Sequence, residues 1–425
     1  MDTKLARHAK PTALLQLACY ADALVRLGRP VPRQVHLWLG DGRRQAVPTA
    51  DVLPLAREYR ERVLAELRQE PAAPLPLWGD ARPACATCRW GTHCADGRRE
   101  ARDLSLVAGM RRDQTARLRS GGILTIEALA CAGDELRPAS IGKDTWIRLR
   151  AQSTLQVAGA GASPPLHEVF DAAALALLPA PDPGDLYYDI EGDPFAEHGA
   201  GLEYLHGMVD AAEEFSAFWA HDRAAEKRAF EQVVDAFTAA ARAHPGMHVY
   251  HYAPYEHTAL TTLAARHATR EEEVDQLLRD GRLVDLYAVV RRAGRVSTES
   301  YSIKKLEPLY MGEQLRDGEV TTAGDSIVEH EQAMLHQQAG RRDRADALLE
   351  AIRDYNEYDC VSTHRLHHWL LDLRTTGPTT PGAPEPVERE LPATELLAEH
   401  LRALVPATDR TGAQQATALL AAALG

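Results

Sequence analysis

Apolar and polar positions change rhythm along this chain near residue 184. From there, short apolar runs alternate with turn residues: Leu186-Tyr187-Tyr188 with Ile190, then Leu202 to Val209, then Phe215 to Ala220. Runs of this length, bounded by Gly, Pro and polar residues, predict three strands in an antiparallel meander. An amphipathic helix is expected over about Ala224–His244, and a fourth strand over His248–Tyr252. Helices dominate afterwards: one opens at Pro254 and carries Leu260 and Leu263, and a long one ends in Ile352 to Thr363. Three strands, a helix, a strand and further helices make an α/β order. Upstream the rhythm is helical, over Thr12–Leu27 and again from Asp96 to about Gly159. Breaks rich in Pro, Gly and Ala predict segments at 1–95, 96–160, a linker at 161–183, the α/β region at 184–375, and a linker with a short helical tail at 376–425.

The first strand of the meander also carries the first candidate chemistry. Asp189 and Glu191 stand two residues apart, and alternate residues of a strand point to one face. Two like charges side by side are costly unless a cation neutralises them, and a hard divalent ion with oxygen ligands does this. The plainer reading is a solvated turn, because Gly192 and Pro194 end the strand. Glu256 stands near the start of the helix after strand four. There it either serves the helix dipole or supplies a third carboxylate aimed back at Asp189. Tyr355 and Asp359, at i and i+4, share one face of the last helix. A phenol one turn from a carboxylate can position water.

Taken together, Tyr188-Asp189-Ile190-Glu191-Gly192-Asp193-Pro194-Phe195, Tyr250-His251-Tyr252-Ala253-Pro254-Tyr255-Glu256 and Tyr355-Asn356-Glu357-Tyr358-Asp359 resemble the motifs of the DEDD exonucleases. The closer resemblance is to the YprB-type ribonuclease H-like domain of RecB-like nucleases. It implies a ribonuclease H-like mixed sheet with flanking helices. By this resemblance Asp189, Glu191, Glu256 and Asp359 hold two Mg²⁺ or Mn²⁺ ions, and Tyr355 orients the attacking water. The implied activity is metal-dependent 3′–5′ exonucleolytic hydrolysis of DNA or RNA at single-stranded 3′ ends. Glu256 stands where Asp is usual, and His251 where Asn is common. Asp354, five before Asp359, stands where the histidine subclass has His, which favours the tyrosine subclass. Asp193 either stands behind the metal ligands as a supporting acid or caps the turn. Lys304 and Lys305 are expected to contact phosphates, or else to lie on an exposed helix face.

The amino-terminal Asp2-x-Lys4 followed by Gln16-x-x-x-Tyr20 resembles the second half of a RecB-type PD-(D/E)xK nuclease core. Only Met1 precedes Asp2, so the upstream acidic residue is missing. The segment reads as a truncated nuclease remnant, or as a frayed terminus without chemistry. Cys85, Cys88 and Cys94 resemble the final cysteine triplet of iron–sulfur RecB-family nucleases, an incomplete set lacking its first ligand. Leu118 to Ala130 looks like a helix-hairpin-helix turn whose backbone amides can face a phosphate, or like an ordinary turn between two helices with a solvated charged face. In longer relatives a superfamily 1 helicase follows; this chain stops at Gly425, before any phosphate-binding Gly-x-x-x-x-Gly-Lys loop.

Charge and composition alter this picture little. The net charge is −13, from 48 Lys and Arg against 61 Asp and Glu, so any nucleic acid must be held by local basic patches. Six cysteines, three of them clustered, suit a metal site better than a disulfide framework. No apolar run approaches the roughly 18 residues of a membrane helix, and no secretory leader is evident, so the cytoplasm is the expected location. A second reading is a catalytically silent nucleic-acid-binding scaffold of a larger nuclease–helicase. A phosphatase of the strand-end Asp-x-Asp kind is disfavoured by Glu191 at the second position.

Overall fold

In the computed structural model, residues 1–4, 9–40, 42–68, 81–82, 85, 88–196, 200–314, 323–376 and 414 are described. The chain divides into two compact units, Met1–Pro378 and Thr379–Gly425, and of the second only Gln414 is described.

The first unit begins with a small sheet. Strand β1 (Asp2–Lys4) runs parallel to β2 (Gln34–Leu39), which pairs antiparallel with β3 (Arg44–Pro48). Helix α1 (Pro11–Arg26) places Ala13, Leu17 and Ala21 on one stripe. That stripe packs on the alternate residues Val35, Leu37 and Leu39 of β2. Buried Asp22 draws Arg57 of α2 (Thr49–Arg68) to 2.8 Å and so ties the two helices together. The amino-terminal region is mostly helical, as its pattern suggests, with this one small sheet beside its first helices.

Four helices follow: α3 (Gly91–Glu100), α4 (Arg112–Ser120), α5 (Ile126–Cys131) and α6 (Lys143–Ala158). Leu104, Leu118, Ile126, Leu129, Trp146 and Leu149 form their core. Thr125 caps α5 by accepting from Ala128 N at 3.1 Å, as the expected helical hairpin requires. On α6, Gln152 donates to Val296 O at 2.9 Å and accepts from Tyr301 OH at 2.7 Å. One turn on, Gln156 donates to Leu106 O and accepts from Ala108 N. These satisfied buried amides clamp α6 onto the α/β region.

That region starts with β4 (His167–Val169) and the short α7 (Ala172–Ala176). Strands β5 (Leu186–Asp193), β6 (Leu202–Asp210) and β7 (Phe215–Trp219) form the expected meander. Helix α8 (Arg223–Ala243) leads to β8 (Val249–His251), which adds parallel to β5. After α9 (Tyr255–His267) and α10 (Glu271–Arg279), β9 (Leu283–Asp285) adds parallel to β8. The sheet order is β7-β6-β5-β8-β9. Then come α11 (Leu286–Ala293), β10 (Gly294–Val296) paired antiparallel with β4, α12 (Ile303–Leu306), α13 (Ala323–Gln338) and the 35-residue α14 (Arg342–Thr376).

Strand β5 is central and buried on both faces. Leu186, Tyr188 and Ile190 pack with Phe230, Val233 and Phe237 of α8 and Leu260 and Leu263 of α9. Tyr187 faces the opposite core, with Val290 of α11 and Leu366 and Leu370 of α14. Asp189 and Glu191 share the parity of Tyr187, so they emerge on the α14 face.

Candidate active site

One carboxylate oxygen from each of Asp189, Glu191 and Asp359 lies within 4.8 Å of the others. Among the described residues this is the one group of three His, Cys, Asp or Glu side chains so gathered. The strand pleat supplies the first two, and α14 crossing β5 supplies the third. The crossing is close because Gly207 on β6, paired with Asp189, has no side chain. A Cβ there would collide with Asn356 Oδ1 of α14. Asn356, fully buried, donates through Nδ2 to Asp189 Oδ2 at 2.7 Å.

The electrostatics are those of crowded acids. Burial first, then the charges of Asp359, Glu191 and Glu256, push the Asp189 carboxyl well above its ordinary range, against the hydrogen bond from Asn356. Burial and the Asp359 charge push Glu191 up to about 8, opposed by hydrogen bonds from Ser326 and Tyr204 and by the Lys304 charge. Those two hydroxyls are themselves 2.7 Å apart.

Glu256 stands in the first turn of α9, is 4% exposed, and is not one of the three gathered carboxylates. The turn leading to it is unusual. Ala253 has φ +78°, a left-handed conformation costly for a residue with a Cβ, and its N–H donates to Asp285 Oδ1 at 2.9 Å. His251 Nδ1 donates to Ala253 O at 2.8 Å and lies 3.4 Å from Glu256 Oε2. Glu256 Oε2 is thus buried without a hydrogen-bond partner. Burial raises its pKa, with His251 opposing.

An orphaned, buried carboxylate oxygen beside three converging acids is a donor set that suits a hard divalent cation. Asp189, Glu191 and Asp359 would hold the ion, and Glu256 has an oxygen left to offer.

Tyr355, one turn before Asp359, is 8% exposed, and the Lys304 ammonium stands 5.3 Å from its ring centroid. Lys304 therefore belongs to the carboxylate site. Lys305 does not: adjacent helix positions diverge, and it lines a separate cleft with Arg99, Arg102, Gln156 and Ser297. Asp193 Oδ1 accepts from Phe195 N at 2.8 Å, a turn cap.

The amino-terminal candidates lie elsewhere. Asp2 is on β1, in a different sheet, and its Oδ1 accepts from Thr3 N. Gln16 donates to Tyr20 OH at 2.6 Å on an exposed face of α1. The Lys4 side chain lies outside the described residues. Cys85, Cys88 and Cys94 do not gather into a ligand group, and Cys88 is exposed. The iron–sulfur expectation therefore finds no support among the described residues.

Sequence reasoning missed Asn356, Gly207, Ser326 and Tyr204. Only Asn356 had a local signal, standing three residues before Asp359 on the same helix.

No curated protein and no solved structure matches the chain. Among the described residues, no helix is long and apolar enough to cross a membrane. The sheet order, the carboxylates on its central strand and the helix that closes over them agree with one finding from sequence comparison. Residues 186–371 match the family model described as the RNase H superfamily, so this segment is ribonuclease H-like, a fold whose nucleases act on nucleic acids with divalent metal ions.

Proposed function

We propose that this chain is a divalent-metal-dependent 3′–5′ exonuclease of the DEDD type, tyrosine subclass, within the RecB-like nucleases. The observation that carries the reading is the convergence of Asp189, Glu191 and Asp359 oxygens within 4.8 Å, with Tyr355 one helical turn before Asp359. Mg²⁺ or Mn²⁺, when bound, supplies Lewis acidity at the phosphorus centre and neutralises the acids. The chain's own residues do the rest. Asn356 occupies one oxygen of Asp189 and leaves the other to face the site. Ser326 and Tyr204 fix the Glu191 carboxylate. Glu256 brings a fourth carboxylate to the rim. The Tyr355 hydroxyl orients the attacking water along the phosphodiester, and Lys304 favours the negative charge of the site.

In this reading residues 184–375 are the catalytic domain. Residues 96–160 grip nucleic acid, and a helicase is the partner found in longer relatives. The test uses 5′-labelled single-stranded DNA and RNA with Mg²⁺ or Mn²⁺. The wild type should shorten one of them from its 3′ end, and Asp189→Asn should lose at least about 100-fold in rate, as expected for groups that position reactive oxygens. Equal rates in the two proteins would sink the proposal. Binding of nucleic acid without any divalent-dependent hydrolysis would leave a silent scaffold instead.

A further inference from the structure

The clamp between α6 and the α/β region leaves a second cluster of charge, of the opposite sign. Arg148, Gln152 and Gln156 are four residues apart on one face of α6. The two glutamines dock on β10, Tyr301 and the Leu106–Ala108 loop, and this carries Arg148 against α11. A Cβ on Gly109 would lie 3.3 Å from Arg148 Nη1 and 3.7 Å from Arg291 Nη2. The two guanidinium groups therefore straddle one point. Gly109 has φ +76°, so a side chain there would be strained as well as crowded.

Arg291 is exposed, lies over the Tyr287 and Tyr301 rings at 5.6 and 5.5 Å, and donates to Tyr287 OH at 2.9 Å. Arg111 and Arg295 stand close by, each with its own carboxylate, Asp113 at 3.1 Å and Glu168 at 3.2 Å. Neither Arg148 nor Arg291 has a carboxylate partner among the described residues. Half-buried Arg148 is held below its ordinary pKa by burial and then by Arg291, Arg111 and Arg295. In a chain of net charge −13, acids to neutralise such a pair are plentiful, yet none is placed there. Paired guanidinium forks match the oxygens of a phosphate.

The cluster is linked by contacts to the turn that bears Glu256. Tyr252 OH donates to Tyr301 O, and the Tyr252 ring meets Tyr287 edge-on at 5.6 Å. The next residue is Ala253, whose turn delivers Glu256.

We propose that Arg148 and Arg291 form a phosphate-binding subsite for the backbone of a nucleic-acid strand whose end lies among the carboxylates. The choice of strand as ligand rests on the nuclease reading, and the test separates the two. Affinity for a fluorescein-labelled single-stranded oligonucleotide is measured over a salt series with Ca²⁺ in place of Mg²⁺. In parallel, the Mn²⁺-dependent hydrolysis of thymidine 5′-monophosphate p-nitrophenyl ester, which presents a single phosphodiester, is followed.

Arg148→Ala/Arg291→Ala should bind about tenfold or more weakly, equally for all sequences. Its log–log salt slope should be shallower by about 1, as for lost phosphate contacts. The small diester should turn over as in the wild type. Arg291→Ala alone, at an exposed position, should show part of the loss with an unchanged melting temperature. Unchanged affinity and slope, or no oligonucleotide binding by the wild type, overturns the proposal. So does a rise in wild-type melting temperature with inorganic phosphate when strand binding ignores both substitutions, since that marks a free-anion site. Arg-dependent binding without diester hydrolysis would refute the nuclease reading and leave the subsite standing.

Discussion

Replacing Glu191 with Gln should make the metal-free protein more stable. In the fold this carboxyl is pushed from 4.5 to about 8. A raised carboxyl pKa contributes stability that is complete below the unfolded value and is lost as the pH rises through the folded one. Holding the group protonated from 4.5 up to pH 7 spans about 2.5 pH units, which at about 1.4 kcal/mol each costs roughly 3 kcal/mol. Gln carries no such charge, and its Oε1 still accepts from Ser326 and Tyr204. At about 1 °C per kcal/mol, from an unfolding entropy of about 2.1 cal/mol/K per residue over 425 residues, the variant should melt roughly 3 °C above wild type at pH 7 in EDTA. The gap should widen towards pH 8 and vanish near pH 4.5. Mn²⁺ should then raise the wild type by about 3 kcal/mol at a hundredfold excess over its Kd, and the variant by much less. Differential scanning at several pH values reads both effects. No gap in EDTA at pH 7–8, or equal responses to Mn²⁺, would refute the account of the site as crowded acids awaiting a cation.

Three further outcomes follow from the same geometry. Gly207→Ala should cost about 1–3 kcal/mol by driving a Cβ into Asn356 and the Phe215 ring and should lower turnover; Gly207→Ala/Asn356→Ala should recover part of the melt but not the rate. Tyr355→Phe should lose about 10- to 100-fold in hydrolysis while the Mn²⁺-induced shift in melting temperature stays as in wild type, because in the proposed reading the phenol positions water and the carboxylates hold the ion. Burial pulls His206 and His330 down to about 4 and His367 to about 3. Depressed values of this kind give stability that is present above about 6.5 and lost as the pH falls towards 4, opposite in sign to the Glu191 effect. The wild type in EDTA should therefore melt highest near pH 6, about midway between the two losses, and a flat or monotonic profile from pH 4 to 8.5 would contradict this.

What could be read from the chain was whatever has a period. Asp189 and Glu191 follow the two-residue repeat of a strand and Tyr355 and Asp359 the helical turn, so their shared faces were legible locally. The meander and α8 were legible for the same reason. Strand β9 has three residues, Leu283–Asp285, too few to show a repeat, and the β4–β10 ribbon is as short. The β2–β3 hairpin escaped because β3 is nearly all exposed and lacks an apolar face. Gly207 against Asn356, Ser326 beside Tyr204, and Arg148 over Gly109 are tertiary meetings of segments far apart in sequence, which no local spacing encodes. Lys304 and Lys305 read as a pair because they are adjacent, but a helix turns about 100° between neighbours and sends them to different clefts.

Helix α14 carries Asn356 and Asp359 within one turn, the amide bonded to Asp189 of β5 and the carboxylate gathered beside it, with Tyr355 one turn before Asp359. Sliding the helix by one residue would swing the phenol, the amide and the carboxylate away together. No intermediate register keeps two of them in place. Assembly of this centre is consequently all-or-none, set by a single close crossing that one missing methyl group at Gly207 makes possible.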